Sequence, residues 1–230
     1  MFVIFLATWL KACKRNDPNE NNCFKEMFGG IFPHIANGIP DLGIEPFEPL
    51  GIRKISVSRN TGQVVQLNGS FNNLKIRGPS NATVAKAELN LEKKFLNFDL
   101  EIPKLRINAT YNLKGNILLL PLIGAGDVNI LLKEIKTSVF TKISLRKIPQ
   151  EVINIDQMKV KFNVGNMRIH LDNLFNGNKV LSASFSMFLN QNSKEILAEL
   201  QEDLENGLGD IFTGIWNSVY NKMPIDLWLL

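Results

Sequence analysis

The spacing of hydrophobic positions changes twice along the chain. Phe24, Met27, Phe28, Ile31, Phe32 and Ile35 recur at helical spacing on one face. This predicts a first helix over about residues 22–37, stopped by Gly38 and bent near Gly29, Gly30 and Pro33. After residue 52 the period becomes two. In LRINATYNLK (105–114), Leu105, Ile107, Ala109, Tyr111 and Leu113 point one way, and Arg106, Asn108, Thr110, Asn112 and Lys114 the other. That is a strand with one dry face and one wet face. Similar alternation predicts strands at 95–102, 128–132, 158–164, 167–171 and 181–189, the last through Leu181, Ala183, Phe185, Met187 and Leu189. The dry parity switches near Pro103 and near Gly165, where a bulge or bend keeps one face inward. Turn residues at Arg59-Asn60-Thr61-Gly62 and Asn176-Gly177-Asn178 separate the runs.

From Asn192 the helical period returns. Asn192 with Glu195 forms a capping-box pattern. Ile196, Leu197, Leu200, Leu204, Leu208, Ile211, Phe212, Ile215, Trp216, Val219 and Met223 then keep that period as far as Pro224. A helix of about thirty residues is roughly 45 Å long. No other predicted helix is long enough to pack along it, so it must lie on the sheet. Gly207, Gly209 and Gly214 lower its propensity and suit a close approach or open space beside it. The fold class expected is α+β: a short N-terminal helix, a large curved antiparallel sheet and a long C-terminal helix held against it. Residues 7–230 form one domain in this reading.

Between the first helix and the sheet lies NGIPDLGIEPFEPLGI (37–52). Its prolines exclude a helix interior or a central strand, and it is too apolar for a disordered linker. It reads as a stiff strap that presses Leu42, Ile44, Phe47 and Leu50 onto the core.

Composition narrows the function more than it defines it. The 230 residues carry a net charge of +4 with scattered basic positions, which gives no nucleic-acid footprint. No run is long and apolar enough for a membrane-spanning helix; ILLLPLIG (117–124) is short and broken by Pro121. The start, MFVIFLATWLKAC, resembles the tail of a secretory signal without a basic leading region. Residues 1–6 are read as a signal remnant, either because the true start lies upstream or because the gene model is truncated. Cys13 and Cys23 suit one short disulfide loop in a secreted protein, the alternative being two unrelated thiols. Asn68, Asn81 and Asn108 begin N-x-[ST] sequons, of which roughly two arise by chance in a chain this rich in Asn. Asn68 and Asn108 fall on wet strand faces, where a glycan has room.

Catalytic chemistry is not visible. His34 and His170 have no second ligand at metal spacing. There is no nucleophile elbow or P-loop, and the Gly124-Ala125-Gly126 run lacks the setting of a dinucleotide fingerprint. The expectation is a non-enzyme without metal or cofactor. A sheet curved around a helix leaves an interior to fill, with side chains or with something else.

Specific motifs sharpen this picture. CKRNDPNENNC (13–23), GIPDLGIEPFEPL (38–50), GNILLLPLIGAGD (115–127) and DNLFNGNKVL (172–181) resemble, in order, the signatures of the takeout and juvenile-hormone-binding-protein family. The resemblance runs from Cys13 to the final helix. It implies an elongated fold related to tubular lipid-binding domains, with an internal hydrophobic tunnel and one N-terminal disulfide, matched by Cys13 and Cys23. A single cysteine pair is similar to the takeout-like branch. The resemblance implies a secreted insect carrier, monomeric, holding a terpenoid such as juvenile hormone, a fatty acid or a quinone-like chain. Candidate wall residues are Phe98, Leu100, Ile107, Ala109, Tyr111, Ile130, Val160 and Phe162, with Ile211, Phe212 and Ile215 from the helix. Tyr111 brings a hydroxyl that needs a partner, either ligand or protein. Phe47 in the strap is gate or packing at the tunnel's end. The alternative function is a secreted signalling protein that acts on an unidentified receptor through its surface.

Overall fold

The computed structural model describes residues 10–40, 44–60, 64–117, 120–147 and 150–230. The signal-remnant reading of 1–6, the strap's Leu42 and the turn residues Thr61 and Gly62 lie outside them. The elements are α1 (Glu20–Ile35), β1 (Leu50–Arg59), β2 (Val65–Arg77), β3 (Thr83–Asn90), β4 (Phe95–Ile117), β5 (Leu120–Lys147), β6 (Glu151–Leu171), α2 (Lys179–Gln191) and α3 (Ser193–Tyr220). The strands form one antiparallel sheet in the order β1-β2-β4-β5-β6, with β3 also paired to β4. The sheet curls so that α3 packs against β6 on one side and β1 on the other. The result is a half-barrel closed lengthwise by α3, the α+β architecture expected from the sequence.

One prediction fails. Residues 181–189 are not a strand but most of α2. Their alternation coincides with a second pattern: Phe185, Phe188 and Leu189 share a helical face, and Phe185 and Leu189 are buried. The segment KVLSASFSMFLNQ has one β-branched residue, Val180, and is otherwise compatible with helix. The Asn178 side chain accepts a hydrogen bond from the Leu181 amide at 3.1 Å and caps its start. The expected capping box at Asn192 is also absent. The Asn192 side chain instead donates through Nδ2 to the Phe188 carbonyl at 2.8 Å, closing α2, and α3 begins at the next residue.

The two predicted parity switches belong to a larger feature. The inward positions jump from Ile102 to Leu105 in β4, from Leu132 to Ile135 in β5 and from Val164 to Met167 in β6. These pairs are in register: Ile102 opposes Ile135, which opposes Val164, and Leu105 opposes Leu132, which opposes Met167. A line through Pro103, Glu134 and Gly165 therefore crosses the three strands and switches their faces together. Glu134 takes φ 55°. A Cβ on Gly165 would come within 2.5 Å of the Glu134 carboxylate, so glycine is needed where the side chain folds over the neighbouring strand.

The strap and the break between β2 and β3 meet at the same level. β2 and β3 run the same way along β4, interrupted at 78–82. There the Glu48 carboxylate accepts from the Gly78 amide at 2.8 and 3.0 Å and from the Ser80 hydroxyl at 3.0 Å, replacing lost ladder bonds. The amides of Phe47 and Glu48 donate to the carbonyls of Ile35 and Ala36 at 3.1 and 2.8 Å, so the strap satisfies the end of α1. Cys13 and Cys23 are disulfide-bonded, joining the segment before α1 to its first turns. The same segment pairs with the chain's last residues, the Cys13 amide donating to Trp228 and the Leu230 amide to Cys13, each at 2.8 Å.

The free edge of β6 is covered by side chains from the helices. Asn190 of α2 brackets Ile169, accepting from its amide and donating to its carbonyl, both at 2.9 Å. On α3, Glu205 accepts from the Phe162 amide at 3.3 Å and Gln201 donates to the Phe162 carbonyl at 2.8 Å. Asn217 accepts from the Ile155 amide at 2.7 Å and donates to its carbonyl at 2.9 Å. Ile155, Phe162 and Ile169 are evenly spaced, so α2 and α3 together act as a substitute strand along an edge that would otherwise be open. Between them Gly209 touches the sheet: a Cβ there would lie 2.5 Å from the Met158 carbonyl oxygen.

Candidate functional site

The curl of the sheet around α3 encloses a cavity of about 310 Å³. Its walls follow from the inward parity of each strand. β4 supplies Leu100, Ile102, Leu105, Ile107 and Ala109, and β5 supplies Ile130, Leu132, Ile135, Thr137 and Val139. From β6 come Met158, Val160, Phe162, Val164, Met167 and Ile169. Wall residues stand on both sides of the Pro103–Glu134–Gly165 line, because the switch keeps one face inward along the whole length. β1 and β2 add Leu50, Ile55, Val57, Phe71, Leu74 and Ile76. The helix contributes Leu197 and a row at every fourth residue: Ile196, Leu200, Leu204, Leu208, Phe212 and Trp216. Such a row runs obliquely along a helix surface, and from Ile196 to Trp216 it covers roughly 30 Å. The cavity is long and narrow.

Three rings close one end. Phe32 of α1 and Phe47 of the strap lie 6.1 Å apart, and Trp216 stands 6.1 Å from Phe32 and 5.8 Å from Phe47. Behind them is a second void of about 40 Å³, bounded on its far side by Phe28, Ile31, Val84, Phe98 and Tyr220. Phe32, Leu100, Val139, Met158 and Trp216 border both spaces. At the opposite end, where Ile169 and Ile196 line the cavity, α2 is fastened to β6 through Asn190.

The residues picked out in the sequence divide accordingly. Leu100, Ile107, Ala109, Ile130, Val160, Phe162 and Phe212 line the large cavity, as does Phe47. Phe98 lines the smaller void. Tyr111, Ile211 and Ile215 line neither. The Tyr111 hydroxyl donates to the Asp172 carbonyl at 2.6 Å and has a protein partner. Burial, with the Asp172 charge nearby, pushes its pKa up to about 12. Ile211 and Ile215 sit beside the every-fourth-residue row, packed against the core. The contributions of β1 and β2 and the row from Leu200 to Leu208 were not among the sequence candidates. Their regular spacing was the available signal. Asn68, Asn81 and Asn108 are all exposed.

Thr137 is the only polar side chain on the wall among the described residues. Arg59, the next inward position of β1 after Val57, faces two carboxylates of α3, Glu199 at 3.7 Å and Asp203 at 3.4 Å. Glu205 is buried, which raises a carboxyl pKa. Hydrogen bonds from Lys161 at 2.6 Å, from Gln201 and from the Phe162 amide outweigh that, and its pKa falls below the ordinary carboxylate range. Among the described residues no cluster of three or more His, Cys, Asp or Glu side chains could hold a metal ion, and no helix is long and apolar enough to cross a membrane.

Comparison with known proteins agrees with this geometry. The family model for haemolymph juvenile hormone binding protein (JHBP) matches residues 3–230. The circadian clock-controlled protein daywake of Drosophila melanogaster is 25% identical over 225 residues, covering 94% of this chain and 85% of that protein. Its Drosophila yakuba counterpart is 24% identical over the same span. The crystal structure of Epiphyas postvittana Takeout 1 superimposes with a TM-score of 0.82 at 26% identity, over 96% of this chain and 99% of that one. The chain belongs to the haemolymph juvenile hormone binding protein family, a family of hydrophobic-ligand binders, and is a takeout-like member of it.

Proposed function

We propose that the protein is a secreted carrier that buries one long, apolar ligand in the cavity beside α3. The observation that carries this is an apolar space of about 310 Å³, bordered by α3 from Ile196 to Trp216, with Thr137 its single polar side chain among the described residues. Pockets of this size and lining suit small apolar molecules. The shape favours an extended chain, alkyl or isoprenoid, over a compact sesquiterpenoid. The wall contacts are Leu100, Ile107, Ala109, Ile130, Val160, Phe162 and Phe212, with Phe47 packing at the end of the ligand and Phe98 behind it. Secretion is supported by the disulfide and by three exposed sequon asparagines, Asn68, Asn81 and Asn108. The clock-controlled relatives make rhythmic expression a natural property to examine.

Native mass spectrometry and lipid extraction of the protein purified from an insect-cell medium test the reading. The expected result is one bound apolar molecule per chain, exchangeable for an added long-chain lipid. A protein that emerges empty and takes up no lipid from detergent-free vesicles overturns it.

A further inference from the structure

The walls of the cavity lack any means of holding a charge. No Lys, Arg, His, Asp or Glu lines it among the described residues. The backbone offers little more. Amides of β4 and β5 along the cavity are engaged in the ladders on either side of these strands. On the free edge of β6, the amides of Phe162 and Ile169 are taken by Glu205 and Asn190. At the break between β2 and β3, the Gly78 amide is taken by Glu48. Arg59, at an inward position of β1, is already outnumbered by Glu199 and Asp203, so that seam repels an anion. A carboxylate drawn into this space would lose its water and gain neither counter-ion nor donors, which strongly disfavours the charged form.

Thr137 is the exception to the apolar lining. No hydrogen bond of its hydroxyl to another described residue is found. It opposes Leu100 on β4 and Phe162 on β6. Two residues further along β5, Val139 borders the space next to Trp216, so the hydroxyl lies about 7 Å along the strand from the aromatic end. A buried hydroxyl can donate to and accept from a neutral oxygen.

Resting on the carrier reading, we infer that the cavity selects uncharged ligands: long apolar chains with one neutral oxygen function near the end that meets Trp216, held by Thr137. Esters, alcohols and ketones fit this description. The anion of a fatty acid with the same chain does not.

The test uses the delipidated protein, with methyl hexadecanoate, hexadecanol and hexadecanoic acid as three probes of one chain and hexadecane as the oxygen-free control. Each displaces the neutral fluorophore N-phenyl-1-naphthylamine, at about pH 8 and again at about pH 5, close to the range where a carboxyl takes up its proton. The ester and the alcohol are expected to bind at both pH values. The acid is expected to bind at least tenfold more weakly at the higher pH, with the gap closing at the lower. Thr137→Val should weaken the alcohol several-fold and leave hexadecane unchanged, and Thr137→Ser should restore the alcohol. Equal affinity of acid and ester at about pH 8 overturns the inference while leaving a carrier. An alcohol unaffected by Thr137→Val in a folded variant overturns the role of Thr137. Failure of the fluorophore and all three probes to bind instead overturns the carrier reading on which the inference rests.

Discussion

Trp216 separates the two internal spaces, and replacing it by leucine should change both stability and the length of ligand accepted. Its ring packs 6.1 Å from Phe32, 5.8 Å from Phe47 and 5.8 Å from Tyr220. Each such pair is worth about 0.5–1.5 kcal/mol beyond burial, so Trp216→Leu should cost roughly 2–4 kcal/mol. The vacated volume then joins the cavity of about 310 Å³ to the void of about 40 Å³ behind it. Every further methylene admitted contributes about 0.8 kcal/mol, roughly fourfold in Kd. Two more methylenes should therefore shift the preference between chain lengths by about fifteenfold. The assay is displacement of a neutral fluorophore by saturated alcohols of increasing length, with urea denaturation and circular dichroism on the same samples. A longer optimum in a folded but less stable variant is expected. An unchanged optimum in a folded variant would falsify the assignment of Trp216 as the stop at this end.

Three further perturbations address the framework around the cavity. Asn217→Ala strands both the amide and the carbonyl of Ile155 at about 1–3 kcal/mol each, so urea denaturation should show a loss of roughly 2–6 kcal/mol; Asn217→Asp, which keeps the acceptor, should lose less. Gly209→Ala puts a Cβ 2.5 Å from the Met158 carbonyl oxygen and should destabilise by about 1–3 kcal/mol, whereas Gly207→Ala and Gly214→Ala meet nothing within 4 Å and should stabilise by up to about 1 kcal/mol. The chain has two tyrosines, and burial raises the pKa of both, Tyr111 to about 12 and Tyr220 further. Because the folded state holds these protons more tightly, their contribution is complete below the unfolded tyrosine pKa of about 10 and is lost as pH rises through the folded values. Tyrosinate absorbance of the native protein should stay flat past about pH 10 and rise together with unfolding; a normal titration in a folded sample contradicts the burial of both rings.

Much of this was legible because one dry face per strand leaves a strong mark. The alternation from Leu105 to Leu113 and the switches at Pro103 and Gly165 can be read directly from residue type. The switch at Glu134 could not, since the alternation read at 128–132 ends at Leu132 and no proline or glycine at Lys133 or Glu134 marks the change. Residues 181–189 were misread because Leu181, Phe185 and Leu189 satisfy a period of two and a step of four alike. Only tertiary contact with β6 and α3 decides between them. Ile211 and Ile215 look as suitable as Leu204 and Leu208 in hydrophobicity. What separates them is the direction of the row on α3, which depends on where the helix touches the sheet, at Gly209. Tyr111 shares the inward parity of Ala109 and Ile107, but its hydroxyl is occupied by Asp172, a residue more than sixty positions away.

The Pro103–Glu134–Gly165 line also bears on how such a chain can change over evolutionary time. In an ordinary strand, an inserted residue can be absorbed by a local bulge. Here three neighbouring strands carry the same face reversal at one level, and the register between them is continuous across it. A single insertion directly after Glu134 would turn Ile135, Thr137 and Val139 outward while the strands on either side stayed as they are. Half of one wall would become polar and the opposite surface greasy. Length changes in this part of the sheet must therefore arrive in matched sets, and gaps in an alignment of related chains should collect in the hairpin connections, leaving the long strands β4, β5 and β6 equal in length.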